Sequence, residues 1–291
     1  MECERLQTRL GPLAWRESGS GPPLVFFAGA LANGDLWRDV IAHLDDRYRC
    51  ITVDLPLGAH PWPLDAGADR SATSLARLLL DCLELLDVQD ATVVANDTAG
   101  GLLLLSLATG HRALGRVGRL VLTNCESYDQ FPPDKLRKVS AICRRLPRVA
   151  EAGLRRQARS EAGRRKVATG AAARGLDDAR MQSFFAPGAG DRRVSGDLVA
   201  AMAGFHPQLM LDAAKAIPRF DRPVLLVWGE ACEFFPPAHA RRLVADFPRA
   251  TLVSVPGAKT WVPVDAPDEL AAAIGDFVAG QPRLRSASSS A

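Results

Sequence analysis

The chain has 291 residues, 47% of them hydrophobic and 24% charged, with a net charge of +3. That composition is ordinary for a soluble globular protein, excludes a disordered or fibrous chain, and carries too little charge to argue for a nucleic-acid partner by itself. Six cysteines (Cys3, Cys50, Cys82, Cys125, Cys143, Cys232) are scattered without close pairs, which excludes a zinc spacing and a dense disulfide framework.

The first third alternates strand and helix patterns. Leu13–Glu17 reads as a short strand and Pro23–Phe27 as a buried apolar strand closed by Ala28-Gly29. A helix is expected over about Asp35–Leu44, a strand over Cys50–Asp54, and an amphipathic helix over Ser71–Leu86. That helix has Leu75, Leu78, Leu79, Cys82, Leu83 and Leu86 at helical spacing. Ala91–Asn96 is a strand, Ala99–Thr109 a helix and Arg119–Asn124 a strand. Residues 127–220 then show helical periodicity and no convincing strand. From Lys135 to Arg180 there are 14 Lys and Arg against four acids (Glu151, Glu161, Asp177, Asp178). This reads either as a solvated helical layer or as a surface that steers an anionic substrate, membrane or carrier. Alternation resumes with a strand at Pro223–Trp228, a helix at Ala238–Asp246, a strand at Thr251–Val255 and a helix at Pro267–Val278.

This alternation predicts an α/β fold: a mostly parallel, doubly wound sheet whose ligands bind outside the carboxyl ends of the strands. Residues 1–126 and 221–280 form the two parts of the core. Residues 127–220 form a helical lid inserted over that edge, and 281–291 a Ser-rich disordered tail. Met1–Arg5 lacks a basic and apolar leader and no run of about 18 apolar residues occurs, so a cytoplasmic protein without a membrane span is expected. Neither metal nor cofactor is expected, and nothing specifies an oligomeric state.

The strongest local motif is Ala95-Asn96-Asp97-Thr98-Ala99-Gly100-Gly101. Small residues two before and two after Asp97 suit a sharp turn from strand to helix that presents a reactive side chain. A helix N-terminus there favours negative charge, so Asp97 is a candidate carboxylate nucleophile. Asp is also a preferred helix cap, and the motif alone leaves both roles open.

The order of motifs resembles the α/β-hydrolase superfamily over nearly the whole chain. Its closest likeness is to the epoxide hydrolase and haloalkane dehalogenase branch, which uses an aspartate nucleophile. Phe27-Ala28-Gly29-Ala30 through Leu36-Trp37-Arg38 looks like that branch's oxyanion loop. Val227-Trp228-Gly229-Glu230 with Phe235-Pro236-Pro237 looks like the loop of the triad acid. Val255-Pro256-Gly257 with Val262-Pro263-Val264-Asp265-Ala266-Pro267 looks like the loop of the triad histidine. The resemblance implies hydrolysis of an ester, epoxide or carbon–halogen bond of an apolar small molecule. The backbone N–H groups of Ala30 and Thr98 would supply the oxyanion hole.

By the same spacing, Cys232 stands where the acid belongs and Thr260 where the histidine belongs. Threonine cannot activate water near neutral pH, which leaves three resolutions. Another histidine serves, His60 or His206. The acid has moved, with Glu126 the candidate after its strand. Or the reaction is not hydrolytic: a cyclase, dehydratase, isomerase or lyase using Asp97 as acid or base, or an inactive binding protein. Cys232 itself is an unpromising thiolate, because Glu230 and Glu233 flank it. Trp37, Trp62, Phe234, Phe235 and Trp261 are candidates, with His206, for an apolar pocket wall.

Overall fold

The computed structural model describes residues 3–280, and the tail expected over 281–291 lies outside them. Eight strands form one sheet: β1 (Glu4–Thr8), β2 (Gly11–Ser18), β3 (Pro23–Phe27), β4 (Arg49–Asp54), β5 (Ala91–Asp97), β6 (Val117–Cys125), β7 (Val224–Gly229) and β8 (Ala250–Val255). Their spatial order is β1-β2-β4-β3-β5-β6-β7-β8. Only the pairs involving β2 are antiparallel. The central strands are apolar on both faces, as a sheet covered on both sides requires. Val25, Phe27, Val93, Ala95 and Leu122 enter one core, and Leu24, Phe26, Val94 and Val121 enter the other.

Around the sheet run α1 (Arg38–Ile41), α2 (Ala72–Leu85) and α3 (Thr98–Ser106). A continuous helical insertion follows, with α4 (Arg137–Arg145), α5 (Pro147–Arg159), α6 (Glu161–Ala171), α7 (Asp178–Gly190), α8 (Arg192–Gly204) and α9 (Pro207–Ala214). The core then resumes with α10 (Pro237–Asp246), α11 (Val262–Asp265) and α12 (Pro267–Val278). Among the described residues no helix is long and apolar enough to cross a membrane. The helix expected over Asp35–Leu44 is shorter, a 3₁₀ turn at Gly34–Trp37 that continues into α1. Strand β1 has no counterpart in the sequence reading, since only Leu6 and Thr8 of its five residues are buried.

The insertion is tied to the core by a buried polar cluster. Asp197 of α8 accepts hydrogen bonds from Arg70 Nε at 2.6 Å and from the Leu64 amide at 2.9 Å, and lies 3.1 Å from His60 Nε2. The His60 Nδ1 accepts from the Gly58 amide, so Nε2 carries the proton and donates to Asp197. Burial opposes the charge on Asp197 most strongly. The donors from His60, Leu64 and Arg70 outweigh it and hold the carboxyl below its ordinary value. A depressed carboxylate stabilises the fold above its unfolded pKa, and this is lost as pH falls through the folded one. Asp197→Ala leaves His60 and Arg70 unmatched and is expected to cost about 3 kcal/mol at neutral pH. Urea denaturation measures it, and a loss within experimental error would show the cluster to be incidental. Asn33 makes a second tie: its Nδ2 donates to Ala59 O at 3.2 Å and to Ser183 O of α7 at 3.1 Å.

Candidate active site

At the end of β5 the chain turns sharply into α3. Asp97 occupies that turn with φ 54° and ψ −131°, and its side chain makes no capping hydrogen bond to α3. A non-glycine residue there is strained, and close packing holds it. Gly100 and Gly101 explain the packing. A Cβ on Gly100 would stand 2.4 Å from Cys125 Cβ, and one on Gly101 would stand 2.8 Å from Glu126 Cβ. The two glycines therefore let α3 press onto the end of β6, which brings Glu126 beside the turn. Gly29 is needed for the same reason on the other side: its Cβ would meet Asp97 Oδ2 at 2.6 Å and Thr98 N at 2.7 Å.

Asp97 keeps partial exposure, and its Oδ2 accepts a hydrogen bond from the Ala30 amide at 3.1 Å. Burial pushes the carboxyl up to about 7, against the amides of Thr98 and Ala30, which favour the ionised form. Glu126 is buried. Its Oε1 accepts from Thr98 Oγ1 at 3.0 Å, and its Oε2 has no partner. Burial first, and the charge of Asp97 second, hold Glu126 well above the carboxylate range. Two like groups set together cannot both ionise easily, so near neutral pH the pair retains a proton.

Cys232 Sγ lies 3.1 Å from Thr260 Oγ1. Both residues are buried, and Asn96 Nδ2 donates to Thr260 O at 2.7 Å, tying that loop to the turn. Burial raises the Cys232 thiol, and the Asp97 charge adds to the rise. Cys232 is therefore a neutral thiol near the carboxyl.

Other sequence candidates stand elsewhere. His60 is bound to Asp197, and His206 caps α9 by accepting from the Gln208 amide. The remaining histidines are occupied or distant from this chemistry. His43 pairs with Asp268 and His111 with Asp81, while His239 lies on α10, where burial lowers its pKa. None of the five contributes to the shift of Asp97. Trp37 is fully buried and packs on Phe26 at 5.3 Å. Trp62 lies under the Arg5 guanidinium, beside β1. Phe234 faces Lys135, and Phe235 is buried with its carbonyl accepting from Trp228 Nε1. Trp261 is buried edge-on against Phe184 of α7, so it meets the insertion. Asp265, of the last motif, accepts from the amides of Lys259, Ala173 and Arg174 and thereby holds the Thr260 loop to the insertion.

Next to Ala30 a recess opens at Leu31 and Gly58, walled by Leu154, Ala158, Phe184 and Leu198 of the insertion. It is a cavity of about 10 Å³, room for about one water molecule. Asp81, Glu84 and His111 bring ligand atoms within 4.8 Å of one another. Arg9, His111 and Arg112 already occupy those carboxylates.

An eight-stranded sheet of this order, with a strained strand-to-helix turn facing a helical insertion, defines the α/β-hydrolase architecture. Comparison with known proteins agrees. The Alpha/beta hydrolase family matches residues 24–273. Haloalkane dehalogenase 2 of Mycobacterium tuberculosis is 30% identical over 272 residues, covering 91% of this chain and 90% of its own. A cis-3-alkyl-4-alkyloxetan-2-one decarboxylase of Xanthomonas campestris pv. campestris is 26% identical over 295 residues, covering 96% of each chain. The structure of haloalkane dehalogenase DbeA from Bradyrhizobium elkani superposes with a TM-score of 0.78 at 20% identity, over 96% of this chain and 98% of that one. The chain belongs to the α/β hydrolase family of enzymes, near its haloalkane dehalogenase branch.

Proposed function

We propose that this enzyme cleaves a carbon–oxygen or carbon–halogen bond of an apolar small molecule through a covalent ester on Asp97. The observation that carries this reading is the Asp97 carboxyl, presented from a strained turn with Oδ2 on the Ala30 amide rather than capping α3. One carboxyl oxygen is thus held by backbone N–H while the group attacks carbon. The carbon–leaving-group bond breaks and its electron pair leaves with the halide or oxygen. In the ester, the same amides polarise the acyl carbon of Asp97 itself. They serve the enzyme's own carboxyl in this reading. The insertion acts as a lid, since a recess of one water must open to admit an organic substrate.

The contact between Cys232 and Thr260 favours a second, narrower reading: the ester is not broken by histidine-activated water. A dialkyl oxetanone of the kind the Xanthomonas relative is named for needs no such base. Attack of Asp97 on the ring carbon bearing oxygen would open that bond and free the ring carboxylate. Loss of carbon dioxide then breaks the carbon–carboxyl bond, whose electrons form the alkene and expel Asp97 as carboxylate. Atoms balance without water.

The test is to offer a bromoalkane, an epoxide, an ester and a dialkyl oxetanone while following both product and intact protein mass. Bromide release is expected to stop after a stoichiometric burst, with the alkyl group retained on Asp97, whereas the oxetanone should turn over continuously to alkene. Sustained bromide turnover would reject the second reading. Products on every substrate that are insensitive to Asp97→Asn would reject the first.

A further inference from the structure

The helical insertion carries a surface that the chemistry at Asp97 does not use. Of the four large apolar side chains that stand exposed among the described residues, three fall within eight positions: Ile142 (44% exposed), Leu146 (55%) and Val149 (60%). They occupy the corner where α4 passes into α5, and all six residues from Arg144 to Val149 are exposed there. Such a cluster is uncommon on a protein that meets only water. Its surroundings are cationic: no acid occurs between Lys135 and Ala150. Lys138, Arg145 and Arg148 are exposed and have no carboxylate partner among the described residues, and Arg156, about two turns further along α5, has none either. The nearby acids are engaged, Asp134 by Arg137 and Glu151 by Arg192.

We propose that this corner docks on an anionic lipid bilayer, with Ile142, Leu146 and Val149 entering the acyl boundary and Lys138, Arg145 and Arg148 meeting the headgroups. Apolar side chains ringed by long basic ones match that interface, where the stems stay in the apolar layer and the charges reach phosphate. The lipid source explains more than an acidic protein would. Helix α5 has two working faces, and Leu154 and Ala158 on its inner side line the recess beside Leu31. One helix therefore separates the bilayer, a reservoir of apolar compounds, from the candidate substrate chamber. The surface stands independently of the reading of Asp97, because binding is read by mass of protein on vesicles and not by turnover.

The experiment is co-sedimentation of the full chain with vesicles of phosphatidylcholine alone and of equal parts phosphatidylcholine and phosphatidylglycerol. Association is expected only with the anionic vesicles and should fall with added salt. Removing Arg145 and Arg148 together (R145Q/R148Q) should weaken partitioning about fivefold per residue. Ile142→Ser with Val149→Ser leaves the charge unchanged and should weaken it about tenfold. Circular dichroism melting checks that each variant is folded, and the salt series on the parent chain provides a test that needs no variant. Failure to bind anionic vesicles overturns the proposal, whether or not the protein binds an acidic protein instead. Binding unchanged by the Ser variants also overturns it, since adsorption would then lie elsewhere.

Discussion

Replacing Asp97 by Asn is expected to lower kcat/KM about 10³- to 10⁵-fold while making the folded protein more stable. The two effects have one cause. The parent carboxyl is desolvated, and its pKa stands at about 7 instead of near 3.8. A carboxyl whose folded pKa is raised destabilises the fold as pH climbs between the unfolded and folded values, and the cost is complete above the folded one. Asn keeps the shape and an acceptor for the Ala30 amide without the charge. The variant should therefore exceed the parent by about 2–4 kcal/mol above pH 7 and match it near pH 4. In the parent, kcat/KM should rise with pH and level off above about 7, as the nucleophile ionises. Thermal melts and rate profiles of freshly prepared protein, with its mass checked for reversion to Asp, measure both. A helix cap predicts something different, because Asn caps as well as Asp and nothing much would change in either quantity. A variant that keeps its activity, or loses stability at pH 8, would rule out a strained, desolvated nucleophile.

The parts of the fold legible in the sequence were those governed by local rules. Pro23–Phe27 and Pro267–Val278 match the observed strand and helix to the residue, because periodicity and proline set their ends. The spacing that placed Cys232 and Thr260 in one role pointed to two side chains that are now seen in contact across 28 residues. What stayed hidden depends on partners far away in the chain. In sequence His60 is one of two histidines free to serve, yet Asp197, 137 residues later, holds it. Trp37 neighbours the oxyanion loop in sequence, but the 3₁₀ turn at Gly34–Trp37 directs it into the core against Phe26. Glu126 was a candidate by position only. Its neutral state follows from burial and from Asp97, neither of which a sequence displays. The sequence does not single out Asn33, and it shows Asp265 only as one residue of a motif. A single Asn near a turn and an Asp ending a short helix carry no signal of these ties until the backbone carbonyls and amides they bind are in place.

Installing the absent pair, Cys232→Asp with Thr260→His, is expected to convert the bromoalkane burst into turnover, speeding loss of the Asp97 ester about 10²- to 10⁴-fold. The backbone is already set for it. Thr260 O is fixed by Asn96, which adjoins Asp97, and the two side chains to be exchanged are within 3.1 Å of each other. An Asp at 232 would orient the imidazole and stabilise its protonated form, as the second carboxylate does in acid–base triads. Two conditions limit the gain. Histidine is larger than threonine in a buried position next to Trp261, itself packed on Phe184, which should cost about 1–3 kcal/mol of stability. A new carboxylate near Asp97 raises both, so the variant should work best at a pH high enough for Asp97 to be ionised and the imidazole neutral, free to take a proton from water. The measurement is the decay of the alkylated mass after excess bromoalkane is removed, with bromide release followed in parallel. If the folded double variant still forms the ester but sheds it no faster than the parent, Cys232 and Thr260 do not flank the acyl carbon of Asp97. The second reading then loses its support, because their contact would no longer explain why the hydrolytic cycle is missing.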